Sequence, residues 1–490
     1  MEAWVQRYKD PAGGNALAEK VVTDHVGNAI VAGYTEGGTH GADFLVIKYS
    51  GDGVPMWTNR YDGPGNSNDQ ARAVAVDSTG NVFVTGNSIG SRGLRDFATV
   101  KYSGAGVPCW TNRYEGPGNS EPNAVAVDSS GNVFLTGYSG GSQGNADYAT
   151  IAYSGAGVPL WTNRYNGPGN FGDLAYAVAV DGGGDVFVTG SSASARPPLY
   201  DSDYATIKYS GAGVPLWTNR YNAPGNDGDQ ATAMAVDGHG NVFVTGAATR
   251  STFNLDYGTV AYSGAGVPLW TNLYTGPPSE LDYATAVAVD ASGNVFVTGR
   301  SLGRNFGGGY SYDYATVAYS GAGAPLWTNR YNGNTPWNDE ASAVAVDGHG
   351  NVFVTGWSAA NFSSGDFATI AYSGAGVPLW TNLYGGPAGG SDYATAVAVD
   401  GSGNVFVTGY SWSGSSYEFA TIKYSLVTLL PIPLNHQVIG NQLVLSWTNA
   451  AFRLQSGPAV HGDYADVPSA MSPYNTGFSG TQRYFRLRAN

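Results

Sequence analysis

Two sets of side chains in this sequence have the types and spacing to do chemistry. The first is acidic. Asp69, Asp173, Asp229, Asp282, Asp339 and Asp392 each stand eight residues before the Asp of an AVD motif, and Ala16 and Ser120 take the same place in two further segments. A second acidic series opens segments of the form D(Y/F)ATxxYS: Asp43, Asp96, Asp147, Asp203, Asp256, Asp313 and Asp366, with Glu418 in the last. Carboxylates gathered in this way suit Ca²⁺, which takes six to eight hard oxygen ligands. The competing role is local, each Asp accepting N–H groups of its own loop and bracing a turn. Near-perfect repetition favours the local role, and no EF-hand spacing is present. The second set is aromatic. Trp337, Trp357 and Trp412 lie outside the recurring motifs, with Tyr410 and Phe362 near them in the chain. Flat rings stack on sugar faces and form interaction surfaces. The alternative is that each packs on its own loop.

Catalysis lacks a constellation. A glycosidase needs two carboxylates at one privileged spacing, and here many equivalent spacings recur. His239 and His349 are turn variants of the form DGHGN, and no HExxH, GxSxG or phosphate loop occurs.

The elements that must position these groups are set by repetition. Trp4, Trp57, Trp110, Trp161, Trp217, Trp270, Trp327 and Trp380 mark eight units spaced 51 to 57 residues apart. The turn aspartates Asp24, Asp77, Asp128, Asp181, Asp237, Asp290, Asp347 and Asp400 give the same count. A fixed period in this range means a solenoid or a propeller. Each unit carries four short β-branched or aromatic runs bounded by Gly, Pro, Asp or Ser, and no window shows a capped helical stripe. The runs read as strands a (AVAVD), b (NVFVTG), c (DYATIKYS) and d (LWTNRY). In AVDSTGNVF, Asp77 can accept turn N–H groups while Gly80 takes a positive φ. Strand a is apolar on both faces, with Val74 and Val76 one way and Ala73 and Ala75 the other, so burial on both sides is expected. The chain opens on a lone d strand (Trp4 to Tyr8), and its eighth unit ends on a lone c strand (Phe419 to Tyr424). Pairing them removes two exposed edges. The expected fold is all-β: an eight-bladed β-propeller of four-stranded antiparallel blades, closed by the N-terminal strand.

GNVFVTG, DFATVKYS and AVDSSGN resemble the SBBP-type bacterial β-propeller repeat over residues 1–425. The resemblance implies a propeller in an exported protein and carries over no catalytic residues. The Gly four residues before each Trp resembles the tryptophan-docking turns of eight-bladed quinoprotein dehydrogenases. Those enzymes hold their quinone with a cysteine pair, which the single Cys109 cannot supply. Cys109 replaces a Leu of sister repeats and reads as a small core hydrophobe.

Residues 426–435 read as a linker and 436–490 as a small β-sandwich-like module with a slightly basic tail. A net charge of −14 disfavours nucleic acid and acidic lipid. No apolar run is long enough to span a bilayer. Trp4 already lies inside a repeat, so a trimmed or mature form is expected. The d–a and b–c connections, which open on one face, vary most, as in 192–202, 301–312 and 410–417. Trp337 falls in the d–a connection entering the seventh blade, and Trp357 and Trp412 in the b–c connections of the seventh and eighth. Binding sites favour variable loops on a rigid scaffold. The expected protein is a secreted or cell-surface monomer. It is a non-enzymatic binding or adhesion scaffold whose variable-loop face takes a protein or glycan ligand. The alternatives are a lectin-like module using Trp337, Trp357 and Trp412, and a hydrolase or lyase at the acidic face. No cofactor is expected beyond possible Ca²⁺ at the first acidic series.

Overall fold

The computed structural model describes residues 1–38, 41–141, 145–194, 201–251, 254–277, 281–304, 309–333, 335–361, 364–425, 434–440, 442–447, 452–458, 464–467, 470–477 and 483–489. These form two compact units, Met1–Ser425 and Leu426–Asn490. Among the described residues there is no helix.

The first unit holds eight four-stranded sheets. Blade one comprises Ala16–Thr23, Ala29–Gly38, Gly41–Tyr49 and Pro55–Tyr61, paired in that order as strands a to d. Blades two to seven repeat the meander over 69–114, 120–165, 173–221, 230–274, 282–331 and 339–384. Blade eight takes Asp392–Val399, Val405–Trp412 and Tyr417–Tyr424 from the end of the repeats and Glu2–Tyr8 from the start. In that joint Trp4 pairs with Lys423, Val5 with Ile422 and Tyr8 with Phe419, all antiparallel. The inner strand of each blade packs on that of the next, and the strand 392–399 of blade eight packs back on the strand 16–23 of blade one. The ring is closed.

Recurring residues do the closing between blades. The indole N–H of Trp57 donates to the Gly104 carbonyl of the next blade at 3.2 Å, and Trp4 does the same to Gly51 at 3.1 Å across the joint. The ring lies against a glycine with positive φ, as Trp57 does on Gly106 (φ +83°), where a Cβ would fall 2.5 Å from the indole. A side chain there would be strained and would displace the ring. The cores also lie between blades. Phe296 and Trp327 of blade six pack with Val352, Val354, Ile370 and Tyr372 of blade seven. The turn aspartates behave as their spacing implies. Asp77 accepts N–H bonds from Thr79 and Asn81, both at 2.9 Å, beside Gly80 at φ +83°.

Three expectations are corrected. Strand a is only half-buried towards its end, at Ala75 and Val76 for example, because the innermost strands line the ring's centre rather than filling it. A register shift in each a–b pair, between Ala71 and Ala73 in blade two, also breaks the strict alternation assumed for it. Cys109 is exposed, not a core residue. Strand d is the outer edge of its sheet, and the residue before Trp points away from the ring, as the half-exposed Leu160 and Leu216 also do.

The second unit has two three-stranded sheets. One pairs Asn435–Ile439, Gln442–Ser446 and Tyr474–Gly477, and the other pairs Ala465–Asp466, Phe452–Gly457 and Tyr484–Ala489. Leu445, Trp447 and Leu454 form their shared core. Most of the linker read at 426–435 lies outside the described residues, and Asn435 already belongs to the first of these strands.

Candidate functional site

Each aspartate of the first series sits in its own blade, at the start of strand a, buried to within 1% of full enclosure. There five of the six bind the d–a loop that delivers them, and Asp392 binds the end of strand b instead. Asp69 accepts the Gly63 N–H at 2.6 Å, Asp173 that of Gly167 at 2.7 Å and Asp282 that of Gly276 at 2.7 Å. Asp229 accepts from Ala223 and Thr249, both at 2.6 Å. Asp339 accepts from Gly333 at 2.9 Å and from the Ser358 hydroxyl at 2.5 Å, and Asp392 from the Trp412 N–H at 3.0 Å. Burial pushes all six carboxyls up, Asp229 and Asp339 to about 6. The two exceptions are compensated locally. In blade one, where Ala16 stands, the buried Asp10 reaches in from the loop and accepts from Arg60 at 3.3 Å. In blade three, Ser120 donates to Ser139 at 2.8 Å.

The six positions are therefore spread round the ring rather than gathered. Among the described residues, one group of three carboxylates has oxygens within 4.8 Å of one another: Asp43, Asp62 and Asp69. Only Asp69 of the first series belongs to it.

The second acidic series meets an arginine the motif scan passed over. The penultimate residue of strand d is Arg in six blades and Leu in two, Leu273 and Leu383. Arg220 grips Asp203 at 2.6 Å, the Ser192 hydroxyl at 2.5 Å and carbonyl at 3.0 Å, and the Tyr165 hydroxyl of the preceding blade at 3.3 Å. Arg113 and Arg330 repeat this with Asp96 and Asp313, and Arg7 with Glu418. A half-buried guanidinium with both a carboxylate and a serine to bind fixes the b–c–d end of the blades that carry this set.

The aromatic set converges, though not where the spacing placed it. Trp357 and Trp412 were expected on b–c loops. Instead Trp357 lies within the strand Val352–Ala359, and Trp412 ends the strand Val405–Trp412, paired with Tyr417. Cross-strand pairing carries the hairpins further out than the Gly and Ser content suggests, and Val295–Arg304 runs on in the same way to pair Arg304 with Tyr310. Tyr393, second residue of strand a in blade eight, joins the set. Trp357 stacks on it at 5.9 Å and 13° across the blade boundary. Tyr393 meets Tyr410 at 5.1 Å, Tyr410 meets Tyr417 at 5.2 Å, and Tyr417 meets Trp412 at 5.2 Å. Five rings thus run unbroken over blades seven and eight on the variable face. Trp412 also covers the d–a loop that enters blade eight, lying where a Cβ on Gly390 would sit. The indole N–H of Trp357 is buried and has no partner among the described residues. Trp337 stands in the d–a loop before blade seven, 40% exposed. Phe362 lies outside the described residues.

Charge borders the rings. Glu340, cross-strand partner of Trp357, holds Arg300 of blade six at 2.7 Å. That guanidinium also lies 4.6 Å from the Tyr283 ring and 5.1 Å from the Tyr312 ring. Burial and the neighbouring Tyr393 hold the Tyr410 hydroxyl up at about 12, so it stays a neutral donor at physiological pH. Tyr393 and Tyr283 were missed because they sit inside strand motifs, and Arg300 and Tyr417 because they stand where a strand motif meets a b–c connection. The signal was present: the second position of strand a reads Leu17, Gln70, Glu121, Leu174, Gln230, Tyr283, Glu340 and Tyr393, varying where its neighbours repeat.

With this geometry in hand, the comparisons bear on the frame rather than on the site. Residues 110–143, 270–307, 327–363, 379–416 and 60–92 each match the SBBP β-propeller repeat. The regulatory protein FlaEY of Caulobacter vibrioides is 28% identical over 195 residues, 35% of this chain, and the match spans only 19% of that relative's length. Among solved structures, Sqt1 from Chaetomium thermophilum aligns with 86% of this chain and 100% of its own at a TM-score of 0.51 and 11% identity, a likeness of fold. Five segments of this ring are thus similar to the SBBP β-propeller repeat.

Proposed function

We propose that the propeller is a non-enzymatic scaffold that binds its ligand on the d–a/b–c face, as a secreted or cell-surface protein. The observation that supports this reading is the run of rings Trp357, Tyr393, Tyr410, Tyr417 and Trp412. It is confined to two neighbouring blades of a ring whose other positions repeat. An architectural role would recur in every blade, and this one does not. The acidic series argue against an enzyme. Asp173 and Asp282 each brace a loop N–H and Asp203 and Asp313 each hold an arginine, and their remaining oxygens are buried away from solvent rather than paired across a cleft.

A glycan is the second reading, favoured by rings bordered with Glu340 and Arg300. Sugars pair an apolar face with a rim of hydroxyls, and such a border matches both. The test is binding of the intact protein to immobilised glycans and to bacterial surface protein extracts, with Trp357→Ala and Tyr393→Ala beside the wild type. The scaffold reading expects binding that both variants lower at least tenfold with unchanged melting temperature. Glycan signal lost in both variants selects the lectin. Binding that survives both substitutions removes the aromatic site.

A further inference from the structure

Blade seven lacks the strand-d arginine that six of its sisters possess, although in blade one that residue, Arg60, pairs with Asp10 from the loop rather than with the strand-c Asp43. In blades two, three, four, six and eight a strand-d arginine lies between the carboxylate that opens strand c and a residue of strand b. Leu383 takes the arginine's place in blade seven and points outward, 49% exposed. Blade five also lacks the arginine but has two substitutes. Thr275 donates to Asp256 at 2.8 Å, and Arg250 donates to Thr275 at 3.2 Å. The sister positions in blade seven are Gly385 and Ala360, which can do neither. Asp366 is left with no hydrogen-bond or ion-pair partner among the described residues, and burial alone holds its carboxyl above the ordinary range. A cavity of about 200 Å³ opens beside it, lined by Asp366, Ser358, Thr335, Ala359, Ala360 and Leu383.

The geometry points to a binding site for an alkylguanidinium group in blade seven, with a ligand-borne guanidinium taking the place that arginine holds in the sister blades. The sisters show what such a group would meet. Arg220 is held by a strand-c carboxylate, by the hydroxyl and carbonyl of a strand-b serine, and by a tyrosine of the preceding blade. Blade seven keeps the corresponding residues as Asp366, Ser358 and Tyr331. An ammonium fits less well. It is a point charge, whereas this arrangement of acceptors suits a planar fork of donors. The guanidinium can come from an arginine side chain of a partner polypeptide or from a small free molecule. Both share the chemistry.

Methylguanidinium, methylammonium, free L-arginine and N-acetyl-arginine amide should each be titrated against the full chain by calorimetry and by thermal shift. One methylguanidinium site of millimolar affinity is expected, the scale of a single side chain, with methylammonium at least tenfold weaker. N-acetyl-arginine amide exceeding free arginine selects the polypeptide source, and the reverse order selects the small molecule. Asp366→Asn should weaken binding at least tenfold while leaving or raising the melting temperature, since it removes an unpaired carboxylate. Leu383→Arg should abolish binding and raise the melting temperature by filling the space from within. No methylguanidinium binding, equal binding of methylammonium, or full binding by Leu383→Arg would overturn the assignment.

Discussion

Three glycines of blade seven separate backbone conformation from tryptophan docking. Gly348 has no positive φ, and a Cβ there meets nothing within 4 Å. Gly350 has φ +80°, and its Cβ would come no closer than 3.7 Å to Asp290. Gly376 has nearly the same φ, +79°, but its Cβ would lie 2.6 Å from the Trp327 indole. Gly348→Ala should be neutral or stabilise by up to about 1 kcal/mol, through the unfolded chain. Gly350→Ala should cost about 1–2 kcal/mol, the left-handed conformation alone. Gly376→Ala carries that cost and also displaces the indole. It loses the 2.9 Å bond from Trp327 to the Gly374 carbonyl, about 1 kcal/mol. It also loses the ring contact with Tyr372 at 5.7 Å, about 1 kcal/mol more. The total is roughly 3–4 kcal/mol.

Urea unfolding reads the series, with the midpoint shifting at constant slope. The decisive comparison is Gly376→Ala in a Trp327→Ala background. With the indole already gone, the cost should fall to that of Gly350→Ala, a coupling of about 2 kcal/mol. If Gly376→Ala and Gly350→Ala agree within about 0.5 kcal/mol in the native background, the indole adds nothing at the blade boundary. The account of how neighbouring blades are held then fails.

Three further outcomes are expected. Deleting residues 1–9 strips the outer strand from blade eight and exposes the edge of Tyr417–Tyr424, so the melting temperature should fall and aggregation should become concentration-dependent; an unchanged melting curve would refute closure by this strand. Asp339 is held up at about 6 against an ordinary 3.8, so its folded form favours the proton and stability is lost as pH rises between those values. Relative to Asp339→Asn, the wild type should lose about 2–3 kcal/mol from pH 4 to pH 7, and a flat difference in paired urea titrations would contradict the burial argument. Because the first acidic series is engaged by its own loops, a calcium chelator should leave the melting temperature unchanged, and a drop of several degrees would instead place a structural ion at carboxylates such as Asp43, Asp62 and Asp69.

How much of this was legible in the sequence follows from what repetition does to information. Eight copies of one motif average away local ambiguity. The Trp count, the turn aspartates and the complementary ends at Trp4 and Phe419 therefore led to the blade number, the strand order and the closing pair. The aromatic site was legible only in part. Trp357 and Trp412 stood out because Trp is conspicuous against Asn87 or Ser191, and Ile89 or Ala193, at their sister positions, and Tyr410 was noticed only for its nearness to them. Tyr393 and Tyr417 were hidden inside DYAT and YEFAT, where a tyrosine looks like framework. Their role depends on contacts across a blade boundary and a hairpin end, and neither has a sequence period. The outward placement of Cys109 was missed for a related reason. Alternation tells which residues share a face, but not that strand d is an outer edge with one face in solvent.

The same logic changes which deviations carry function. A departure from the repeat that is compensated nearby, as Ala16 is by Asp10 or Leu273 by Thr275 and Arg250, preserves the local chemistry by other means. A departure without compensation leaves a chemical group without the partner that its sisters hold. Leu383 is of this second kind, and its consequence is a carboxylate facing an open cavity. Trp357 is another, with a buried indole N–H that has no partner among the described residues. Both lie in blade seven, in strands that end on the variable face. Other blades also bury single oxygens without partners, such as those of Asp203 and Asp313, but an arginine occupies the space beside them; in blade seven that space is an open cavity that a ligand can enter.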